Sequence, residues 1–519
     1  MEVVSYGPRA VQLRFAERPD EAAFARSQAL VKRWESRTNS DRVGRLELIP
    51  GLTTLVWTGE PADLAAVRAW LAEVPRELGS VAEAIPERLV EIPTRYDGAD
   101  LARVAALHEL SEAEVIERHS APRYRVQCLG FSPGFPYLGG LDPRLATPRL
   151  ATPRTRVPAG SVAIGGEQTG IYSVASPGGW NLIGSTAAPL FQPWAATVES
   201  AFLLRAGDRL RFVPDDAPGS GPDEPGPRPK LGTPLLRVVS PGLGLTLQDA
   251  GRPGLSRFGV PPSGPLDRIA AGWANRLLEN PESAPVLELC FQGQRFEVLR
   301  DSWLALTGGS LGLPGRPGWS AFRVKAGEVL NFPPATPGVW SYMAVPGGWC
   351  AEPGLGSVST LPRAGLGEPW ISGSELRSPQ PSPLILPSGT AGRRVHWSEV
   401  PDYSATEPLW VWPGPQWSSF TPEDRARFAA ETWTLSNQCD RVGYRLMGPP
   451  LRPSPAEILS EPVLPGTVQV PANGQPIVTL PDGPTVGGYP KLGWLEPEAL
   501  RRLAQMRPGS RVRFRWRSG

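Results

Sequence analysis

Few side chains in this 519-residue chain are placed by their neighbours to do chemistry. Of the 53 basic residues only Lys32, Lys230, Lys325 and Lys491 are lysine, and the remaining 49 are arginine. Against that bias Lys491, in "GGYPKLG", reads as a compact ammonium at a pocket edge, suited to a phosphoryl or carboxylate oxygen that a broad guanidinium would crowd. "LQDAGRPG" sets Asp249 and Arg252 in a Gly/Pro turn, with "GVPPSGPLD" just after it. Such a pair either forms a local salt bridge or combines a proton carrier with an anion stabiliser. His119 closes the helical run "SEAEVIERH", where it either faces the helix C-terminus or moves protons. Ser263, Asp267 and Asn275 open the amphipathic "DRIAAGWANRLLEN", with Asp267 read as its N-cap.

Other chemistries find no support. Three histidines do not make a His-rich metal site, and the four cysteines, Cys128, Cys290, Cys350 and Cys439, form no C-x-x-C pair. No P-loop or G-x-S-x-G elbow occurs, and "LTGGSLGLPGRPG" (306–318) reads as a turn cluster. A net charge of +2 with no single-sign block points to neither nucleic acid nor anionic membrane as partner. No apolar run approaches the roughly 18 residues of a membrane span, and the start lacks signal-peptide character. The expectation is a reduced, cytoplasmic protein.

The elements that must position these residues are short strands joined by many turns, since 62 Pro and 57 Gly accompany 18 Trp. The first 90 residues read β-α-β-β-α, with "RLVEIP" as a closing strand, which fits a ferredoxin-like split βαβ. A helix over 111–119 with Ser111 as N-cap then leads into strands and turns that run to Phe212. Residues 214–232, "PDDAPGSGPDEPGPRPKLG", read as a linker, and "SPQPSPLILPSGT" (378–390) as a second Pro/Ser-rich connection. Residues 130–145, "GFSPGFPYLGGLDPRL", are too rigid for a linker and too broken for a helix or central strand.

An internal echo pairs 158–184 with 465–493. Gly160 matches Gly466, Gln168 matches Gln475, and Gly178-Gly179-Trp180 matches Gly487-Gly488-Tyr489, so Lys491 stands where the first copy has Leu182. "AGDRLRF" (206–212), "AGEVLNF" (326–332) and "PGSRVRF" (508–514) each read as a turn feeding a strand. Related β domains follow, not a regular solenoid.

"YDGADLARVAALHELSEAEVIERHSAPRYRVQCLGFSPGFPYLGGLD" and "PRTRVPAGSVAIGGEQTGIYSVASPGGWNLIGST" closely resemble the B-type component of the prokaryotic ATP-dependent 5-oxoprolinase, also known as allophanate hydrolase subunit 1. From residue 235 on, "LTLQDAGRPGLSRFGVPPSGPLD", "LGSVST", "PGPQW", "DRVGYRLMGPPL", "EILSEPVLPGTVQVPANGQPIV" and "GGYPKLG" resemble the C-type component, or allophanate hydrolase subunit 2. The chain thus resembles a B–C fusion, as in the carboxyltransferase part of urea carboxylase. One stretch departs from the family: after "STLPRAGLG" the chain reads "EPWISGSE" (368–375).

The resemblance implies a mainly β fold: a ferredoxin-like α+β cap (1–92) and a cyclophilin-like barrel (93–213), then a linker (214–234). Beyond it come a second barrel (235–377), a connection (378–407) and a third barrel (408–519). It implies opening of the 5-oxoproline lactam to glutamate, with ATP as co-substrate together with Mg2+, a separate A-type subunit as partner, and no biotin on this chain. A carboxyltransferase acting on urea or a similar amide stays open, as do a kinase-regulating binding role and a homo-oligomer. On this reading the candidate catalytic residues are His119, Asp249, Arg252 and Lys491. The candidates for binding substrate or ATP are Gly134, Phe135, Gln168, Ser176, Gly178, Gly179, Ser263, Asp267, Asn275, Asp482 and Tyr489, and no metal ligand is assigned.

Overall fold

The computed structural model describes residues 1–18, 20–35, 46–73, 88–216, 229–309, 313, 315–379 and 392–517. The chain is mainly β, with few and short helices. The first unit is a four-stranded antiparallel sheet ordered Glu2–Ser5, Ala10–Arg14, Thr54–Thr58, Glu47–Pro50. Two helices, Glu21–Glu35 and Pro61–Glu73, close one core with it, in which Trp34 meets Trp57 edge-on at 5.8 Å. Asp20 caps the first helix through the Ala23 N–H at 2.5 Å.

"RLVEIP" does not close this sheet, which corrects that expectation. Its strand, Leu89–Thr94, runs parallel to Arg209–Pro214 in the next sheet. Ile92 is the reason: its side chain is fully buried in the second core, beside Phe212 and Tyr124. That second sheet has seven strands, from Asn181–Ser185 at one edge to Leu89–Thr94 at the other. An antiparallel bridge between Arg95 and Ser185 brings the two edges together. Helix Glu112–Ser120 packs against the sheet, and Ser111 starts it with a reciprocal capping box to Glu114.

Residues 233–378 form two facing sheets of four and five strands over one core. Helix Arg268–Leu277 lies against the strands Ser302–Gly308 and Trp340–Ala344. The last sheet pairs Leu409–Pro413 in parallel with Phe514–Trp516, as Leu89–Thr94 pairs with Arg209–Pro214 in the second unit. The hydrophobic core under it is continuous with that of helix Arg268–Leu277, so the last two units pack as one body.

The echo in the sequence is an echo in register. Leu182 pairs with Ala163 and Gly184 with Val162, across a bulge; Lys491 pairs with Gln469 and Gly493 with Val468, again across a bulge. In both copies the second glycine of the pair accepts an N–H through its carbonyl, Gly179 from Leu150 at 2.7 Å and Gly488 from Ile458 at 2.9 Å. Most of the first predicted linker, and of the Pro/Ser-rich connection after it, lies outside the described residues. Strands reach closer to the first linker than expected, ending at Pro214 and resuming at Thr233.

Candidate functional site

Loop 130–136 is a joint between units. The Gly134 N–H donates to the Phe258 carbonyl at 2.8 Å, and Leu129 bridges to Phe258. At Gly259, where φ is +80°, a Cβ would strike the Ser132 carbonyl, and a Cβ at Gly130 would strike Val486. Three units therefore meet on one loop whose glycines permit the approach. Behind it Phe135, Tyr137, Tyr172 and Trp180 form an aromatic cluster, with Phe135 5.5 Å from Trp180 and Val486 among its neighbours.

On the far side of that joint the structure gathers five of the predicted residues into one network. Asp249 and Arg252 are not the local salt bridge that the turn suggested; both reach to segment 354–359. Asp249 accepts from Ser357 Oγ, from Ser359 Oγ at 2.6 Å, and from the N–H groups of Val358 (3.0 Å) and Gly251 (2.9 Å). Arg252 donates to the carbonyls of Gly354 (3.0 Å) and Ser357 (2.9 Å). Its remaining nitrogen, Nη1, is buried without a partner among the described residues. Burial pulls the Arg252 guanidinium down to about 10, against the opposing charges of Asp249 and Asp482.

The Arg252 N–H donates to the Pro262 carbonyl, which brings in Ser263. Ser263 is fully buried at a φ of +55°, with its Oγ unpartnered among the described residues. Asp482 receives Arg441 at 2.7 Å and 3.1 Å; Arg441 also donates to Glu288 and, at 2.8 Å, to the Gly264 carbonyl. Glu288 accepts from the Tyr342 hydroxyl at 2.9 Å, and that oxygen accepts the Asp267 N–H at 2.7 Å. Burial pushes the Glu288 carboxyl up while the Arg441 charge holds it back. Burial works against the Arg441 charge as well, but Asp482 and Glu288 outweigh it and keep this side chain a cation.

Asp267 is the N-cap expected, accepting the Ala270 N–H at 3.0 Å, and it also takes the Tyr403 hydroxyl at 2.6 Å. Asn275 stands apart, tying the Glu282 and Ala284 carbonyls beyond the same helix.

Lys491 is not at a pocket edge, which corrects the sequence reading. It is fully enclosed, and its Nζ lies 3.3 Å from Glu461 Oε2. Glu461 also accepts from Gln416 (2.8 Å), Gln12 (3.2 Å) and Arg14 (3.3 Å), so the last unit is pinned to the first sheet. Burial pulls the Lys491 ammonium down against the pull of Glu461.

His119 also lies away from the network. Its ring is buried, 4.5 Å from that of Phe212, with Nδ1 2.8 Å from the Tyr96 hydroxyl and Nε2 2.8 Å from Thr169 Oγ1. Thr169 spends its proton on the Ala163 carbonyl, so Nε2 donates and Nδ1 accepts. No ring nitrogen is left for a substrate, and burial pulls the imidazole down to about 3.

Of the remaining candidates, Gln168 lies 3.5 Å from Gln127, and Ser176 Oγ is buried without a partner among the described residues. Gly178 leaves room for the Tyr172 hydroxyl, and Tyr489 is half-buried in the loop before Lys491. Arg441, Glu288, Glu461 and Gln416 escaped the sequence reading. Glu288 carried a signal, as the one acid inside the apolar run "PVLELC". Among the described residues no group of three His, Cys, Asp or Glu is placed to hold a metal, and no helix is long and apolar enough to cross a membrane.

Comparison with known proteins agrees with this architecture. The carboxyltransferase domain, subdomains C and D, matches residues 1–202, and subdomains A and B match residues 258–516. The chain is 35% identical to the C-type component of 5-oxoprolinase from Escherichia coli (strain K12) over 290 residues, 54% of this chain and 90% of that protein. It is 49% identical to the B-type component of 5-oxoprolinase from Escherichia coli O157:H7 over 180 residues, 33% of this chain and 78% of that one. Urea amidolyase of Saccharomyces cerevisiae is 28% identical over 307 residues, 54% of this chain but 16% of its own length. The crystal structure of TTHA0988 superposes with a TM-score of 0.84 at 37% identity, covering 98% of this chain and 100% of that one. The chain belongs to the carboxyltransferase-domain family that includes the B-type and C-type components of 5-oxoprolinase. Its likeness to both components is consistent with a fused B–C arrangement.

Proposed function

We propose that this chain is the B–C component of an ATP-dependent 5-oxoprolinase and works with a separate A-type subunit. The observation that carries the reading is the interlock of loop 130–136 with loop 256–264, which makes one body of parts similar to two components of one enzyme. The fold of each part within it is proposed to follow the ferredoxin-like and cyclophilin-like plan that the resemblance implies.

The proposed chemistry answers the stability of a lactam. The amide oxygen takes the terminal phosphoryl group of ATP and releases ADP; water then adds to the carbon, the C–N bond breaks as the nitrogen gains a proton, and a second water hydrolyses the resulting acyl phosphate to the carboxylate and free phosphate. Such a path needs cations where phosphoryl charge develops and a pocket that excludes bulk water. Arg252 suits the first need, since Nη1 is buried and uncommitted while the other two nitrogens fix the guanidinium plane. Asp249 acts through the loop it clamps, because both its oxygens already accept hydrogen bonds. ATP with Mg2+ is the proposed co-substrate.

A carboxyltransferase role toward urea or a similar amide is the second reading, favoured by the family match and by the urea amidolyase relative. One experiment separates them. The chain, mixed with an A-type subunit, is assayed for glutamate release from 5-oxoproline and ATP, and in parallel for urea carboxylation with a biotin-carboxylating system. Glutamate release supports the proposal, and carboxylation without glutamate release replaces it with the second reading.

A further inference from the structure

Where the two echoed barrels face each other, Arg149 reaches from the first toward the last. It belongs to the arm held by the Leu150-to-Gly179 hydrogen bond, and it approaches the matching glycine of the other copy. A Cβ built on Gly488 would stand 3.5 Å from Arg149 Nη2, 3.5 Å from Ser460 Oγ and 3.0 Å from the Ile458 carbonyl. Glycine at 488 therefore leaves a gap between a guanidinium and a hydroxyl that any other residue would begin to fill.

Arg149 is half-buried, yet among the described residues it has no hydrogen-bond or ion-pair partner. That sets it apart from Arg14 and Arg441, which are paired with carboxylates, and from Arg252, two of whose nitrogens are held by carbonyls. Its charge bears on the Tyr137 and Tyr172 phenols. A planar fork of donors at a part-desolvated joint, with the Ser460 hydroxyl across the gap and no carboxylate paired with it among the described residues, suits a two-oxygen anion.

We propose that Arg149, with Ser460 beside it and Gly488 leaving the room, forms an anion-binding site between the two echoed barrels, which takes a carboxylate or phosphoryl group of a small molecule. The choice of the lactam carboxylate as occupant rests on the 5-oxoprolinase reading, whereas the anion site itself does not.

Calorimetric titration of the full chain with three probes tests this: 5-oxoproline, 2-pyrrolidinone (the same lactam without its carboxylate) and inorganic phosphate. Arg149→Gln is expected to weaken 5-oxoproline roughly 10- to 100-fold, the scale of losing a charge-assisted pair, and to leave 2-pyrrolidinone unchanged. Arg149→Lys keeps the charge without the fork and should fall between; it gives the same comparison should the Gln variant not fold. Dependence on Arg149 for phosphate but not 5-oxoproline upholds the site with a phosphoryl occupant. Equal binding of both anions to wild type and variants, or binding of neither to wild type, overturns it. Loss of anion binding in the variants of a chain that releases no glutamate with its partner would leave the site standing and remove only the 5-oxoprolinase reading.

Discussion

Glu461 holds Lys491 at 3.3 Å within the last unit and, through its other oxygen, Arg14 of the first sheet, also at 3.3 Å. Lys491 has no contact with solvent, whereas a quarter or so of the Arg14 side chain does, at 28%. Removing the lysine therefore leaves a buried carboxylate with only a partly exposed cation. Lys491→Ala is expected to lose about 3–5 kcal/mol in denaturant unfolding, and a Lys491→Met, Glu461→Leu double variant to recover much of it. An Ala variant as stable as wild type would show that the pair does not hold the units together.

Arg441 makes a second such prediction. It lies between Asp482 and Glu288 and also carries the Gly264 carbonyl, so three segments depend on one planar fork. Arg441→Gln should lose about 3–5 kcal/mol, and Arg441→Lys should restore less than half, because an ammonium cannot span both carboxylates and the carbonyl. Full rescue by lysine, measured in the same unfolding experiment, would mean that charge alone is needed.

The interlock is tested by two glycines with nearly equal φ. Gly259 (+80°) faces the Ser132 carbonyl, while Gly254 (+83°) has none of the described residues within 4 Å of a Cβ. Gly254→Ala should cost only the backbone preference, about 1 kcal/mol. Gly259→Ala should cost that plus the clash, about 3 kcal/mol or more, and should raise amide exchange in 130–136. Equal losses at the two positions would contradict the close approach of the loops.

Acid should find His119. Burial holds the folded imidazole near 3, while the unfolded side chain titrates near the ordinary 6.5. Below about pH 6.5 the unfolded chain takes a proton that the folded one refuses, so this stability is present at neutral pH and drains away toward pH 3. The stability advantage of wild type over His119→Gln should shrink by about 3 kcal/mol between pH 7 and pH 4. A difference independent of pH would place the imidazole in contact with water.

Local signals in the sequence reached far into this fold. Ser111 and Asp267 cap the helices they precede, because a cap is written within four residues. The echo of 158–184 in 465–493 reappears as the same bulge in the same register. What stayed hidden depends on partners far along the chain. "RLVEIP" reads as a strand, but nothing local tells which sheet will take it. The Asp249–Arg252 turn reads as a local pair because the carbonyls that bind Arg252 lie a hundred residues on, at Gly354 and Ser357. Lys491 was conspicuous as a rare lysine, but its burial follows from Glu461, Gln416 and a sheet at the opposite end of the sequence.

The most direct test of the central claim is the coupling ratio. The purified chain is combined with an A-type subunit, 5-oxoproline and ATP, and glutamate and ADP are quantified in the same samples over time. The account predicts that the two accumulate together, close to one for one, only when both proteins and both substrates are present, and that Arg252→Lys lowers the rate roughly 10²-fold, the scale of losing one electrostatic stabiliser. Release of ADP at the same rate without 5-oxoproline, or no glutamate from the complete mixture, would contradict it.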